Sequence, residues 1–149
     1  MERNIFKVLS EMEGISNLHT RDSSTPVDDI THHPFGFDFS NMKYFGSQVQ
    51  SPLFTLNRLK LIFRYSLKKE TTKVNILEAV NNYNSDIPLI KITLKKLSGK
   101  TIETEFSIDF LMDDSAITEE QLIPLINILA PCPSDFVKFL GAKKIHLTD

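Results

Sequence analysis

The sequence has 149 residues, of which 41% are hydrophobic and 24% are charged, and its formal net charge is −2. This composition is typical of a folded domain, and it excludes a disordered chain, a collagen-like repeat and a disulfide scaffold. The small net charge gives no general attraction to nucleic acid or to anionic membranes. Cys132 is the single cysteine, so an intrachain disulfide is impossible and a reducing compartment is favoured.

The N-terminal stretch lacks the features of a signal peptide. Residues 1–14 contain neither a long apolar core nor a small-residue cleavage site. No uninterrupted apolar stretch approaches the roughly 20 residues that a membrane-spanning helix requires. We therefore expect a cytoplasmic protein, folded as one domain over residues 1–149, with no membrane and no nucleic acid among its partners.

The first predicted element is an amphipathic helix near the N-terminus, with Asn4 as its N-cap and Gly14 as a left-handed residue after its end. Its apolar residues recur at helical spacing: Ile5, Val8, Leu9 and Met12. Residues 20–34 are polar and include two prolines, which is typical of a surface loop. Residues 35–46 then alternate phenylalanines with small or polar residues, which favours a strand at a sheet edge.

Alternation with a period of two becomes clear from residue 58. One face of this predicted strand is apolar: Leu59, Leu61, Phe63, Tyr65 and Leu67. The other face carries Lys60, Arg64 and Lys68, so the strand is expected to be half-buried. A helix follows, with Thr72 as its N-cap. The asparagine-rich run 81–86 and Pro88 end that helix, because Asn and Asp favour local hydrogen bonds over helix continuation and the residue before proline prefers an extended backbone.

Two further strands form a predicted hairpin. Ile90, Ile92 and Leu94 share one face, as do alternate residues from 102 to 110. Matching the two faces requires an odd number of loop residues. A loop of Leu97, Ser98 and Gly99, with Gly99 left-handed, satisfies this. The register then places Lys91 opposite Glu105 and Lys95 diagonal to Glu103.

The chain ends in predicted helices. Thr118 and Gln121 fit a capping box ahead of an apolar run. Pro124 is expected to kink that helix. A last short helix, Asp135–Leu140, is expected after Ser134, with Gly141 at its end. Helical and two-residue periods therefore alternate along one chain, which predicts a mixed α+β scaffold.

Few residues suggest chemistry. The one cluster that could resemble a metal site consists of His19, Asp28, Asp29, His32 and His33. Its spacing matches no zinc or iron pattern, and a solvated loop explains it more simply. Asp113 and Asp114 follow a strand, where an acid could act, but a polar turn before a capped helix needs fewer assumptions. Cys132 has no flanking signature of a nucleophile. We therefore predict no catalytic residues, no metal site and no cofactor.

Charge is distributed unevenly. Residues 58–73 are rich in Lys and Arg, whereas residues 101–120 contain only acidic charges. The two runs could steer a partner through complementary fields. Alternatively, they neutralise each other across one sheet, which is the favoured interpretation. The basic face lacks the interleaved aromatics that stack nucleic-acid bases.

Residues 57–130 resemble the YbjN-like family of bacterial proteins, whose fold is similar to that of type III secretion chaperones. The resemblance depends on Asn81, Tyr83 and Asn84 at a helix end, followed by a strand pair and the run Thr118–Leu122. It implies a compact α+β domain with an antiparallel sheet, helices packed on that sheet, and pairing as a homodimer. It also implies a sensory-regulatory or chaperone-like role, with no catalytic residues to transfer.

The functional expectation is a non-catalytic protein-binding module that docks a protein or peptide on its sheet and helix surfaces. An exposed strand edge would be the natural site for a partner strand. The candidate contact residues are Phe35, Phe37, Phe39, Arg64 and Lys68, with a plain core role as the alternative for the phenylalanines. An immunity protein that neutralises a bacterial toxin is a second interpretation. A small hydrolase or metal-dependent enzyme using Asp113, Asp114 or the histidine loop is the third.

Overall fold

The computed structural model describes residues 3–21 and 27–148. These residues form an antiparallel seven-stranded sheet together with helices, so the predicted α+β class is confirmed. The elements are α1 (Asn4–Glu11), β1 (Ile15–Thr20), β2 (Thr31–Phe39), β3 (Met42–Gln50), β4 (Thr55–Leu67), α2 (Lys73–Asp86), β5 (Ile90–Leu97), β6 (Thr101–Leu111), a short 3-10 helix (Asp114–Ala116), α3 (Glu119–Leu129), α4 (Cys132–Ala142) and β7 (Leu147–Thr148). The strand order is β1-β2-β3-β4-β6-β5, and β7 pairs with β4.

The described residues fall into two units. The first comprises 3–21, 27–60 and 109–127, and the second comprises 61–108 and 128–148. Strands β4 and β6 and helix α3 each have residues in both units. The expectation of a single domain stays a prediction.

In the first unit, the predicted stripe is buried at Ile5 and Leu9 of helix α1 and at Met12, which directly follows the helix. The predicted N-cap is wrong by one residue. Arg3 occupies the cap position without a capping side chain, and Asn4 is the first helical residue. Gly14 has a φ of 87°, as predicted for a left-handed residue after the helix.

A long hairpin replaces part of the predicted loop. Strand β2 already begins at Thr31, so a loop interpretation of 31–34 is wrong, while residues 22–26 lie outside the described part of the chain. The predicted single strand 35–46 is divided by a turn at Ser40 and Asn41, whose φ values are 49° and 63°. Two consecutive positive φ values are those of a type I′ turn, which matches the twist of an antiparallel pair. This turn connects β2 to β3, which pair along their whole length. Phe39 lies opposite Met42 beside the turn, and Thr31 lies opposite Gln50 at the far end.

The core of the first unit is aromatic. The ring centroids of Phe37 and Tyr44 lie 5.2 Å apart in a stacked pair, and Phe6 meets Phe35 edge-on at 5.6 Å. Gly46 faces this cluster, and a Cβ there would lie only 2.3 Å from the Phe35 ring. The Phe35 ring therefore needs a glycine beside it.

In the second unit, the predicted alternation of β4 is confirmed, since Leu61 and Tyr65 are buried while Arg64 is exposed. Thr72 caps α2 as predicted, because its Oγ1 accepts a hydrogen bond of 3.3 Å from the Asn75 amide. Helix α2 ends at Asp86, shortly before Pro88. The prediction that the asparagine-rich run 81–86 ends this helix is wrong, because that run forms its last six residues.

Phe136 organises the core of the second unit. Its ring contacts those of Phe106 at 5.6 Å, Tyr65 at 6.0 Å and Tyr83 at 6.0 Å between centroids. Helix α4, which carries Phe136, begins at Cys132, three residues before the predicted start at Asp135. Proline is tolerated in the first helical turn, so Pro133 lies inside this helix rather than before it.

The β5–β6 hairpin forms, but its predicted register is wrong by two residues. Lys91 pairs with Ser107 and Thr93 pairs with Glu105, and an irregularity follows between Leu94 and Lys96. A register shift of two residues leaves every side chain on the same face of its strand, so the faces were predicted correctly although the register was not. Gly99 is not among the described residues with positive φ, so the predicted left-handed turn residue is also wrong.

The stretch Glu119–Ala142, which contains α3 and α4, is 24 residues long and includes an 18-residue window with a mean hydropathy of 1.2, so by length and composition alone it is apolar enough to cross a membrane. Core helices of soluble proteins have the same properties, and Leu122, Ile126 and Leu140 of this stretch are buried. One half of the predicted capping box is present, since the Thr118 amide donates to Gln121 Oε1 at 2.9 Å, while the Gln121 amide donates to the Thr118 backbone carbonyl at 3.1 Å. Whether the chain associates with a membrane stays a matter of prediction.

Candidate functional site

In the first unit, a hydrogen-bond network engages both carboxylate oxygens of Asp114, one of the residues considered for acid catalysis. Its Oδ2 accepts a hydrogen bond of 2.6 Å from the Asn4 amide, and its Oδ1 accepts one of 3.0 Å from the Ile5 amide. These amides have no partner within α1, because the first N–H groups of a helix lack intrahelical acceptors. Asp114 therefore caps α1 from a distant part of the sequence.

The same network extends into the sheet. Gln48 Nε2 donates to Asp114 Oδ1 at 3.0 Å and to Asn57 Oδ1 at 2.7 Å. Asn57 in turn donates to the carbonyl of Met112 at 3.0 Å. Gln48 and Asn57 are fully buried, where an unmade hydrogen bond is costly. The network accordingly ties α1 to strands β3 and β4, whereas the neighbouring Asp113 is exposed.

The histidines do not form one site. His32 and His33 are consecutive in β2, so their side chains point to opposite faces of the sheet. Partial burial and the nearby Arg3 charge lower the pKa of His33, and a hydrogen bond with Gln50 opposes this shift. His19 Nδ1 lies 2.8 Å from the Asn17 carbonyl. Within residues 3–21 and 27–148, no three His, Cys, Asp or Glu side chains form a group that could hold a metal ion.

Cys132 lies in the core of the second unit. Its side chain is buried, and Sγ donates to the Ile128 carbonyl at 3.2 Å. Burial raises the pKa of the Cys132 thiol, with a further contribution from Asp135, while a hydrogen bond with Tyr83 opposes the shift. A nucleophilic cysteine requires the opposite shift, so this environment is that of a structural thiol.

The predicted contact residues divide into two groups. Phe35 and Phe37 are only 3% and 1% exposed, so a partner could not touch them in this structure, and the alternative core role fits them. Phe39 is half-buried, with its ring 6.5 Å from that of Tyr44. Arg64 and Lys68 are exposed as expected. Their role in partner binding stays a prediction.

Cross-strand ion pairs account for part of the uneven charge. Arg64 Nη2 lies 2.7 Å from Glu103 Oε2 in the second unit, and this contact lowers the pKa of Glu103. In the first unit, Arg58 donates to both carboxylate oxygens of Asp109, at 2.6 and 2.8 Å. These pairs support the interpretation that the basic and acidic runs neutralise each other across the sheet.

The β5 edge of the sheet is blocked by the side chain of Asn84. Its Nδ2 donates to the Ile92 carbonyl at 3.0 Å, and its Oδ1 accepts from the Ile92 amide at 2.7 Å. A neighbouring strand would bond to the same two groups. Asn84 thus takes the place of a strand at Ile92, and it hinders the strand addition expected at an exposed edge.

The first unit has apolar side chains on the face of its sheet opposite the core. Because side chains alternate along a strand, the neighbours of the buried Gln48 and Asn57, namely Val49 and Leu56, face outward. Leu111 shares this outer face, since it lies two residues beyond Asp109, which is ion-paired to Arg58.

Further apolar residues lie at the same end of the sheet, before β2 and in the turn between β3 and β4. Ile30 precedes the Thr31–Gln50 pair, and the turn that follows Gln50 presents Leu53 and Phe54. We define the outer patch as Val27, Ile30, Val49, Leu53, Phe54, Leu56 and Leu111. Leu53 is 91% exposed, Val27 68%, Leu111 67% and Phe54 47%. Exposed apolar side chains grouped at one end of a sheet are a candidate interaction surface.

Sequence reasoning missed the outer patch. The signal that could have found part of it is the apolar residues at outward positions of strands, such as Val49 and Leu111.

No family model matches this chain, and no curated protein or solved structure matches it either. The resemblance to the YbjN-like family therefore stays a prediction.

Proposed function

We propose that this chain is a non-catalytic protein-binding module of the bacterial cytoplasm, chaperone-like or regulatory, that docks a protein partner through the outer patch. The observation that carries the proposal is the set of exposed apolar side chains at neighbouring strand ends and in the turn between β3 and β4, above all Leu111 and Leu53. Burying such side chains against a partner is favourable by about 25 cal/mol per Å² of apolar area, before the costs of association are subtracted.

Two further observations support this choice. Asp114 accepts hydrogen bonds from the backbone of α1, and Cys132 is a buried thiol with a raised pKa, so both have structural roles. Asn84 occupies the β5 edge at Ile92, which makes a side-chain surface a better docking site than that edge.

The test is affinity purification of the tagged protein from its own cells, followed by mass spectrometry, with two double variants. Leu53→Ser/Leu111→Ser removes apolar surface from the outer patch. Val74→Ser/Leu77→Ser is the matched control, because these side chains are 61% and 47% exposed on α2. Circular dichroism establishes that both variants fold.

We expect a protein that is recovered with the wild type and with the α2 control and is lost with the patch variant. If that protein is a toxin, the role is that of an immunity protein that uses the same surface. Recovery of the same proteins with all three baits, or of the bait alone, would contradict docking through the outer patch.

A further inference from the structure

Carboxylates border the outer patch. Asp28 and Asp29 lie between Val27 and Ile30, whose backbones are joined by hydrogen bonds of 3.1 and 2.9 Å. Asp113 lies two residues after Leu111, close to the turn that carries Phe54, since the Met112 amide donates to the Thr55 carbonyl at 3.2 Å. The side chains of Asp28, Asp29 and Asp113 are all exposed.

The cation of β4 nearest the patch in sequence is already engaged. Arg58 lies two residues from Leu56, and its guanidinium binds both carboxylate oxygens of Asp109. This bidentate pair offsets the charge of Arg58, so within two residues of the patch the exposed carboxylates of Asp28, Asp29 and Asp113 outweigh its positive charge.

We propose that the partner of the outer patch presents apolar side chains flanked by Lys or Arg, that is, a cationic amphipathic protein segment. The inference rests on the proposed docking function and adds the chemistry of the partner to it. The apolar side chains of the segment cover Leu53, Phe54 and Leu111, and its cations lie against Asp28, Asp29 and Asp113. Electrostatic complementarity of this kind raises association rates and excludes partners of the wrong charge.

A second copy of this chain fits the patch less well. In a two-fold dimer the same surface faces itself, so the bordering carboxylates of both copies would approach one another. Like charges brought together at an interface are unfavourable, and Arg58, the cation of β4 nearest the patch in sequence, is held by Asp109.

The test uses a library of random peptides displayed on phage, selected on the folded wild-type protein. The selected peptides are synthesised, and their affinity is measured by fluorescence anisotropy at low and high salt. The protein variants are Leu53→Ser/Leu111→Ser, which removes apolar surface, and Asp28→Asn/Asp113→Asn, which removes charge. Asn tolerates the left-handed backbone of Asp28, whose φ is 51°. The controls are Val74→Ser/Leu77→Ser and Asp86→Asn on α2.

We expect the selected peptides to combine apolar and basic residues. Their binding should weaken about 10–100-fold in the apolar patch variant, as the loss of two contact side chains implies. It should weaken about 2–10-fold in the charge variant at low salt, with a smaller effect at high salt. The two α2 controls should bind as the wild type does.

Two results would overturn the inference in distinguishable ways. Suppose that the selected peptides are neutral or acidic, and that their binding is weakened by Leu53→Ser/Leu111→Ser but unchanged by Asp28→Asn/Asp113→Asn. That result would support docking through the outer patch and refute a cationic partner. Failure to select any peptide that depends on the patch would contradict the docking function as well. Light scattering that reveals a dimer broken by the Leu53→Ser/Leu111→Ser change would assign the patch to a second copy instead.

Discussion

Replacement of Asn84 by alanine tests whether this side chain substitutes for a strand at the β5 edge. The change removes both hydrogen bonds to Ile92, of 3.0 and 2.7 Å. The net contribution of one hydrogen bond is about 0.5–1.5 kcal/mol, so the two together imply a loss of about 1–3 kcal/mol in the free energy of unfolding. Ile92 is only 2% exposed, which limits replacement by water and favours the upper half of that range.

Asn82→Ala is the matched control. Asn82 lies on the exposed side of α2, and Asn→Ala changes helix propensity by a similar amount at both positions. The difference between the two variants in urea unfolding therefore isolates the contacts of Asn84 with Ile92. Hydrogen exchange at the Ile92 amide gives a local measurement, which we expect to be about 10–100-fold faster in Asn84→Ala than in Asn82→Ala.

Asn84→Asp provides a sharper version of the same test. An ionised carboxylate can still accept from the Ile92 amide, but it cannot donate to the Ile92 carbonyl and repels that oxygen. A protonated carboxyl restores the donor, so this variant should regain stability relative to the wild type as the pH falls. Equal stability of Asn84→Ala and Asn82→Ala, with unchanged exchange at Ile92, would refute the reasoning.

Three other predictions follow from buried or capping groups. Asp114→Ala should destabilise the protein by about 1–3 kcal/mol in urea unfolding, because α1 loses its cap and Gln48 loses an acceptor; Asp113→Ala, at an exposed position, should stay within about 0.5 kcal/mol of the wild type. Burial and the charge of Arg3 lower the pKa of His33 below its usual 6.5, so the unfolded state binds the proton more tightly than the folded state. The free energy of unfolding should therefore fall as the pH drops below about 6.5. His33→Gln should make the free energy of unfolding less dependent on pH in that range. Cys132 should resist alkylation in the native state and react rapidly in denaturant; fast native labelling would contradict its burial.

Local periodicity determined much of the secondary structure. The stripe of α1, the two faces of β4 and the Thr72 cap of α2 depend on residues close together in sequence, so propensity and spacing suffice to predict them. The end of α2 was predicted only in part: the helix stops shortly before Pro88, but it continues through the asparagine-rich run 81–86 that was expected to end it. Local periodicity also explains why the faces of β5 and β6 were assigned correctly, because a register shift of two residues leaves every side chain on the same face.

Contacts between distant parts of the chain determined what local patterns could not. Asn4 looked like the cap of α1, yet the capping oxygens come from Asp114. The phenylalanines of β2 looked like candidate contacts, but packing on Tyr44 and Phe6 makes Phe35 and Phe37 core residues.

The sequence by itself therefore determined the α+β class and the alternation of most elements. Only the tertiary structure decided which polar residues are used as caps, which edge is blocked and which apolar residues are left outside. The physical reason is that burial and hydrogen-bond satisfaction depend on which segments meet, whereas the periods of helices and strands are properties of the local backbone.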